Sequence, residues 1–256
     1  MDKVLGIDVG ATGIKGAIVD ISSGEFASER IKYPTPNPAT IDKVIEVIGQ
    51  LISDFNWEGK PFGVGFPAVI KGGICHTASN IDNSWIGFNL LQALRQRFTQ
   101  NVIVINDADA AGYAELEYGN LVDSQGIVIL LTLGTGIGSA VFHDGVLMPN
   151  TEFGHLKYKK GVAEKYASNK AREDKELSWK EWGGELDAVI RHIDFVFSPD
   201  LFILGGGISK KYHKYSEYLK LRHKIVPAKL LNRAGIVGAA LAMHKQLMEK
   251  GILHNV

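Results

Sequence analysis

Cysteine, an excess of either charge, and long apolar runs are what this sequence lacks. A single cysteine, Cys75, leaves no partner for an internal disulfide and too few thiolates for a cysteine-built zinc centre, and it fits a reducing, cytoplasmic setting. With 28 Lys+Arg against 28 Asp+Glu the formal net charge is zero, so no global basic field draws the chain to nucleic acid. Any polyanion must be met by a local patch. No apolar run approaches the roughly 18 residues of a membrane span, so no membrane partner is expected. A first strand beginning by Val4 leaves no expected leader segment and no room for an N-terminal helix-turn-helix. What remains is ordinary globular material, 45% apolar and 22% charged over 256 residues, enough for one large domain or two modest ones.

Glycine is abundant where it matters. The stretch Ile127 to Phe142 reads as two strands joined by the turn Gly134-Thr135-Gly136-Ile137-Gly138, with the hydroxyls of Thr132, Thr135 and Ser139 beside it. Glycine has no Cβ, so backbone N–H groups in such a turn can converge on an anion. The same pattern opens the chain: Val4 to Asp20 is strand, turn (Gly10-Ala11-Thr12-Gly13), strand, with Lys15 just beyond the turn and Asp8 just before it. A carboxylate at a strand end beside bound phosphates suits magnesium, so Asp8 is the expected metal residue. The G-x-x-x-x-G-K-[ST] phosphate loop is absent and neither turn runs into a convincing helix, so P-loop and Rossmann readings fail. Two strand-turn-strand clamps describe instead an α/β, two-lobed, actin-like (ribonuclease H-like) fold, with the active site in the cleft between lobes.

Taken in order, Glu25 to Tyr33 reads as a third strand, and Ile41, Val44, Ile45, Ile48, Leu51 and Ile52 form the apolar stripe of a helix capped by Thr40. Pro61 to Ile70 gives two short strands around a glycine-proline break. A polar loop from His76 to Trp85 follows, then a helix from Phe88 to Phe98. Val102-Ile103-Val104-Ile105 is a buried strand that delivers Asn106 and Asp107 to the start of a helix at Ala108 to Tyr118. A carboxylate at a strand end in an α/β fold can accept a proton from an attacking alcohol, which favours a catalytic reading of Asp107 over a capping one. Glu152 and His155 sit three apart in a loop rather than a helix, and without cysteine partners they read as sugar-facing, not metal-binding. Ala163 to Glu176 reads as a solvated helix. Ser178 to Glu181 is a capping box opening a helix whose stripe runs from Trp182 through Val196 and Phe197. Leu201 to Leu204 is a strand ending in Gly205-Gly206-Gly207, followed by Lys210 and Lys211. An apolar helix from Ala234 to Met248, with Gly235 and Gly238 for close packing, is expected to return to the first lobe, giving a small domain of residues 1–107 with 235–256 and a larger one of 108–234.

With these stretches placed, the chain resembles the ROK family of sugar kinases, and within it the members that use polyphosphate. The likeness rests on Gly6-Ile7-Asp8-Val9-Gly10-Ala11-Thr12-Gly13-Ile14-Lys15-Gly16, Thr77-Ala78-Ser79-Asn80-Ile81-Asp82-Asn83-Ser84-Trp85, Asn106-Asp107-Ala108-Asp109, Leu131-Thr132-Leu133-Gly134-Thr135-Gly136-Ile137-Gly138, Glu152-Phe153-Gly154-His155 and Gly205-Gly206-Gly207. The resemblance implies a glucokinase that moves a phosphoryl group from inorganic polyphosphate, or ATP, to the glucose 6-hydroxyl with Mg2+. An ATP-dependent ROK kinase is the alternative. It implies Asp107 as general base, and Asn80, Asn106, Glu152 and His155 as hydroxyl ligands. The donor is expected on Gly10, Thr12, Gly13, Lys15, Thr132, Gly134, Thr135, Gly136, Gly205, Gly206, Gly207 and Lys210. A polyphosphate tail is expected along Lys210 and Lys211, with Lys15 beside the first turn and Lys165 or Arg172 as lesser candidates. Many ROK kinases carry zinc on the Gly-His pair and a following cysteine cluster; that cluster is missing, so no zinc is expected. Ala11 and Ala68 stand where the family usually has glycine. A homodimer is the family expectation.

Overall fold

The computed structural model describes residues 2–78, 81–119 and 125–252. Its chain forms two compact units, Met1–Ala114 with Arg233–Val256, and Glu115–Asn232.

In the first unit β1 (Lys3–Gly10) and β2 (Gly13–Asp20) form a hairpin whose closing pair is Gly10 and Gly13. The expected third strand is two short ones, β3 (Glu25–Phe26) and β4 (Ile31–Tyr33), both paired with β2. Ser28 causes the break: its hydroxyl accepts the Ile18 N–H at 3.0 Å, replacing a backbone acceptor of the ladder. Helix α1 (Ile41–Asp54) buries the stripe read from the sequence, although Thr40 makes no side-chain cap bond. Then come β5 (Phe62–Phe66), the small hairpin β6 (Ile70–Lys71) and β7 (Ile74–Cys75), α2 (Leu90–Arg97) capped by Asn89, β8 (Val102–Asn106) and α3 (Asp107–Tyr118). Strand order is β3-β2-β1-β5-β8, with β1, β5 and β8 parallel. Alternation along β1 sends Leu5, Ile7 and Val9 into a core with Val44, Ile48 and Leu51 of α1. Cys75 is fully buried, and burial pushes its thiol up to about 12, which suits a core residue and not a nucleophile.

The second unit repeats the plan. β9 (Ile127–Leu133), β10 (Ile137–His143) and β11 (Val146–Met148) form an antiparallel meander, followed by the hairpin β12 (Lys157–Tyr158) and β13 (Gly161–Val162). The expected single helix is α4 (Glu164–Ala167) and α5 (Asn169–Asp174), broken at Ser168, whose extended backbone lets its hydroxyl cap α5 through the Ala171 N–H at 3.0 Å. Nor is it merely solvated surface: Ala163, Ala167 and Ala171 are buried. Helix α6 (Trp179–Phe197) opens with the Ser178–Glu181 capping box and buries Trp182, Leu186, Val189, Ile190 and Ile193. The stripe stops there, because Val196 is 64% exposed. β14 (Leu201–Gly205) and β15 (Lys224–Pro227) complete a sheet ordered β11-β10-β9-β14-β15, its last three strands parallel.

Helix α7 (Ala234–Glu249) lies on the first unit's sheet. It approaches so closely that a Cβ on Gly63 would collide with the Ala239 carbonyl, and it meets α3 as closely, since a Cβ on Gly238 would collide with the Ala110 carbonyl. Larger residues there would lift the helix away from the sheet that carries Asp8.

Candidate active site

In the first unit, parallel registration brings two acids to one edge. Asp8 pairs with Gly65, and Phe66 with Asn106, so Asp8 near the carboxyl end of β1 and Asp107 just beyond that of β8 flank β5 on the edge of the parallel strands where α/β folds place ligands. The first turn of α7 backs Asp8: a Cβ on Gly235 would lie 2.9 Å from the Asp8 Cγ. That helix end favours a negative charge. Opposite Asp8 on β2 stands Lys15, whose Nζ donates to Asp8 Oδ2 at 3.1 Å, and opposite Lys15 on β4 stands Lys32. One carboxylate and two ammonium groups thus share a row. Lys32 also covers the glycine turn, since a Cβ on Gly13 would collide with its Cε. Asn106 is buried and turned inward, its Nδ2 donating to the Ala68 carbonyl at 3.1 Å and its Oδ1 accepting the Ala108 and Asp109 N–H groups at 2.9 and 3.1 Å. It therefore caps α3 and ties down the Ala68 loop, with one amide hydrogen left for a ligand. Asp107 accepts the Ala108 N–H at 2.8 Å through Oδ1 and is half-buried.

In the second unit, the pair Leu133 and Ile137 closes β9 and β10 across Gly134-Thr135-Gly136. Thr135 is exposed, while the Gly134 N–H turns inward to the Gly136 carbonyl at 3.0 Å. Registration of β14 on β9 sets Gly205 beside Thr132, and Gly206, with φ at +81°, lies against the Leu133 backbone. The second and third glycine clusters are thus one backbone surface. Lys210 is exposed on the helical turn after it, whereas Lys211 and Lys214 lean toward Trp179, 5.9 and 5.7 Å from the ring centre that Arg172 covers at 4.3 Å. Ser139, read as an anion donor, is buried: alternation turns it inward, where its hydroxyl donates to the Thr151 carbonyl at 2.8 Å and accepts the Phe153 N–H at 3.0 Å. What Ser139 does is anchor the turn that presents Glu152 and His155. Phe153–His155 is one turn of 3-10 helix rather than open loop. The imidazole sits between two carboxylates, Nδ1 at 3.6 Å from Glu152 and Nε2 at 3.9 Å from Glu164. Burial holds the Glu152 carboxyl above the usual range; Glu164 pushes the same way and His155 opposes both.

A sequence profile of the ROK family matches residues 4–162. The chain belongs to the ROK family. Among its relatives, a polyphosphate glucokinase of Mycobacterium tuberculosis is 48% identical over 238 residues, covering 93% of this chain and 89% of that one. The crystal structure of the inorganic polyphosphate/ATP-glucomannokinase of Arthrobacter sp. strain KM superposes with a TM-score of 0.91 at 46% identity, covering 96% of this chain and 100% of that one. A ROK family glucokinase from Streptomyces griseus, in complex with glucose and AMPPNP, gives 0.80 at 23% identity over 95% of this chain and 99% of that one, and at that distance speaks to the fold alone. The fold is the actin-like α/β fold of ROK sugar kinases.

Within this ROK chain, geometry adds two residues to those singled out in the sequence. Lys32 has no motif around it; only the β2–β4 register brings it to the first glycine turn. Glu164 sits in a charge-rich stretch that reads as surface, and is 19% exposed because its Oε2 accepts the Ile137 N–H at 3.3 Å. Asn80 lies outside the described residues. No helix among the described residues is long and apolar enough to cross a membrane.

Proposed function

We propose that this ROK protein is a glucokinase that takes its phosphoryl group from inorganic polyphosphate and also from ATP, acting in the cytoplasm as a homodimer. The observation that carries the reading is the likeness of 46–48% over more than nine-tenths of the chain to a polyphosphate glucokinase and a polyphosphate/ATP-glucomannokinase. The second of these names both donors, which is why ATP is kept beside polyphosphate.

In this reading the glucose 6-oxygen attacks the terminal phosphorus of the donor, the bridging P–O bond breaks, and Asp107 takes the hydroxyl proton. The products are glucose 6-phosphate and a polyphosphate shorter by one unit, or ADP. Glu152, His155 and Glu164 hold the other sugar hydroxyls together with Asn80 and the remaining amide hydrogen of Asn106. Ionised, Glu152 is the stronger acceptor; protonated, it keeps one carbonyl acceptor and gains a donor. The donor lies on the two glycine turns and the Gly205–Gly207 backbone, with Thr12, Lys15 and Lys32 at the first turn and Thr132, Thr135 and Lys210 at the second. Magnesium shared with donor phosphates needs only one or two protein carboxylates and keeps several waters. Asp8 fits that requirement: it is a single carboxylate at a strand end, already facing cations. When bound, that ion would draw charge from the donor oxygens.

The test is glucose 6-phosphate formation, followed by a coupled dehydrogenase, with long-chain polyphosphate and with ATP in turn. Turnover with both supports the reading. Turnover with ATP alone would make this an ATP-dependent kinase, and none with either would remove the assignment.

A further inference from the structure

Beside the second glycine turn, the elbow between α4 and α5 walls a cavity of about 450 Å³, lined by Thr135 and by Lys165, Lys170 and Lys175. A volume of that size lies in the range of small-molecule sites, about 300–1,000 Å³. We propose that this cavity seats the distal phosphates of an inorganic polyphosphate chain, a subsite that depends on the donor assignment above and extends it away from the reacting phosphoryl group.

The cavity and the turn are one piece of structure. The Lys170 N–H donates to the Gly134 carbonyl at 3.0 Å, so the wall that carries the lysines is fixed to the turn that would hold the donor, and the exposed Thr135 stands at their junction. Charge favours an anion. Two carboxylates also line the space, but Glu164 faces His155 and the Ile137 N–H, and Asp174 is held by Lys170 Nζ at 2.8 Å. Lys175 Nζ bonds a neutral partner, the Lys165 carbonyl, at 2.5 Å, which leaves two ammonium hydrogens to donate. Lys165 and Lys175 are thus cations that these two carboxylates do not neutralise, on a chain whose formal net charge is zero.

The lining also discriminates between donors. Tyr166 is the aromatic side chain in the cavity wall, and its ring already forms a T-shaped pair with Tyr158, centroids 5.3 Å apart, and meets the ammonium groups of Lys159 and Lys175 at 5.2 and 4.6 Å. A purine finds no open ring to stack on. A string of phosphates needs none, only donors and positive charge along its path. Of the lysines expected from the sequence along this path, Lys165 lines the cavity, while Lys210 and Lys211 are not in its wall and Lys211 leans on Trp179.

The experiment compares kinetic constants of the full chain for long-chain polyphosphate, tripolyphosphate and ATP. Replacing both lysines (Lys165→Ala with Lys175→Ala) should raise KM for the long chain about ten-fold or more, the scale of losing charge-assisted contacts. KM for ATP and for glucose should stay within about two-fold, with tripolyphosphate between, and the salt dependence of long-chain KM should flatten. Asp174→Asn gives the opposite sign: it frees Lys170 and should lower long-chain KM by roughly two- to three-fold. That gain cannot come from misfolding. An unchanged long-chain KM in the double variant, equal losses with ATP, or a rise in Asp174→Asn would each overturn the subsite while leaving wild-type polyphosphate turnover, and so the donor assignment, intact. Absence of polyphosphate turnover in the wild type would instead remove both.

Discussion

The two units build the same hairpin and then use it differently. In each, an antiparallel pair feeds parallel strands, and a short glycine turn closes the pair. Two residue pairs inward from the closing pair, the first unit has Asp8 opposite Lys15, while the second has Leu131 opposite Ser139. The same row is a charged pair in one unit, and in the other an apolar residue beside a hydroxyl that anchors the Glu152–His155 turn. The turns differ too, Ala11-Thr12 against Gly134-Thr135-Gly136. A duplicated backbone plan can thus keep its phosphate-facing turns while only one copy keeps the acid that would meet a metal, and the other copy is free to shape the sugar side.

The sharpest way to break this comparison is to remove one polar group from each copy. Asp8→Ala should lower magnesium-dependent kcat by about 10³ or more, because the shared cation loses its carboxylate and each 1.36 kcal/mol of lost transition-state stabilisation is about ten-fold. Thr135→Ala, at the acid-free turn, loses one neutral hydroxyl and should cost about ten-fold or less. Steady-state assays at saturating magnesium would decide it; equal losses would mean the turns are equivalent and Asp8 merely structural.

Next in size is Asp107. Asp107→Asn keeps the shape of the α3 entrance and can still accept the Ala108 N–H through its amide oxygen, so glucose KM should move only a few-fold. Losing the proton acceptor should lower kcat by about 10² or more. A large rise in KM with near-normal kcat would make Asp107 a sugar ligand and return the base to another group.

How much of this was legible beforehand follows from the range of the interactions. The fold class, both glycine turns and the α6 capping box depend on residues close in sequence, and a single chain shows them. The break at Ser28 required knowing that its hydroxyl meets Ile18, and the inward turn of Ser139 that it meets Thr151. The same holds for the added site residues: Lys32 is brought to Gly13 by strand register, and Glu164 to His155 by a fold-back of nine residues through two small strands. Charge alone made Glu164 look like surface, because a solvated helix and a carboxylate tucked under a β-strand N–H share the same letters. Val196 failed for a related reason: a helical period says which face is apolar but not where the neighbouring sheet ends.

The smallest effect, and the one that best separates the two copies, concerns Glu152 in the second unit. Burial is the main reason its carboxyl is held above the usual range, with Glu164 adding to it and His155 opposing. A folded-state pKa above the unfolded one means the ionised form costs stability; that cost is present at neutral pH and disappears as pH falls through the folded pKa to below the unfolded one. Glu152→Gln should therefore melt slightly higher than wild type at neutral pH, with the difference vanishing on acidification. Binding runs the other way. The ionised carboxylate is the better acceptor for a sugar hydroxyl, so the variant's glucose KM should rise about ten-fold at neutral pH. In the wild type, KM should climb with acidification from above the ordinary glutamate range, as protonation removes the charged acceptor, and in Glu152→Gln that acid limb should be absent. Glucose KM and melting temperature measured in parallel across that window check both signs; an acid limb that survives in Glu152→Gln would assign the titration to a different group.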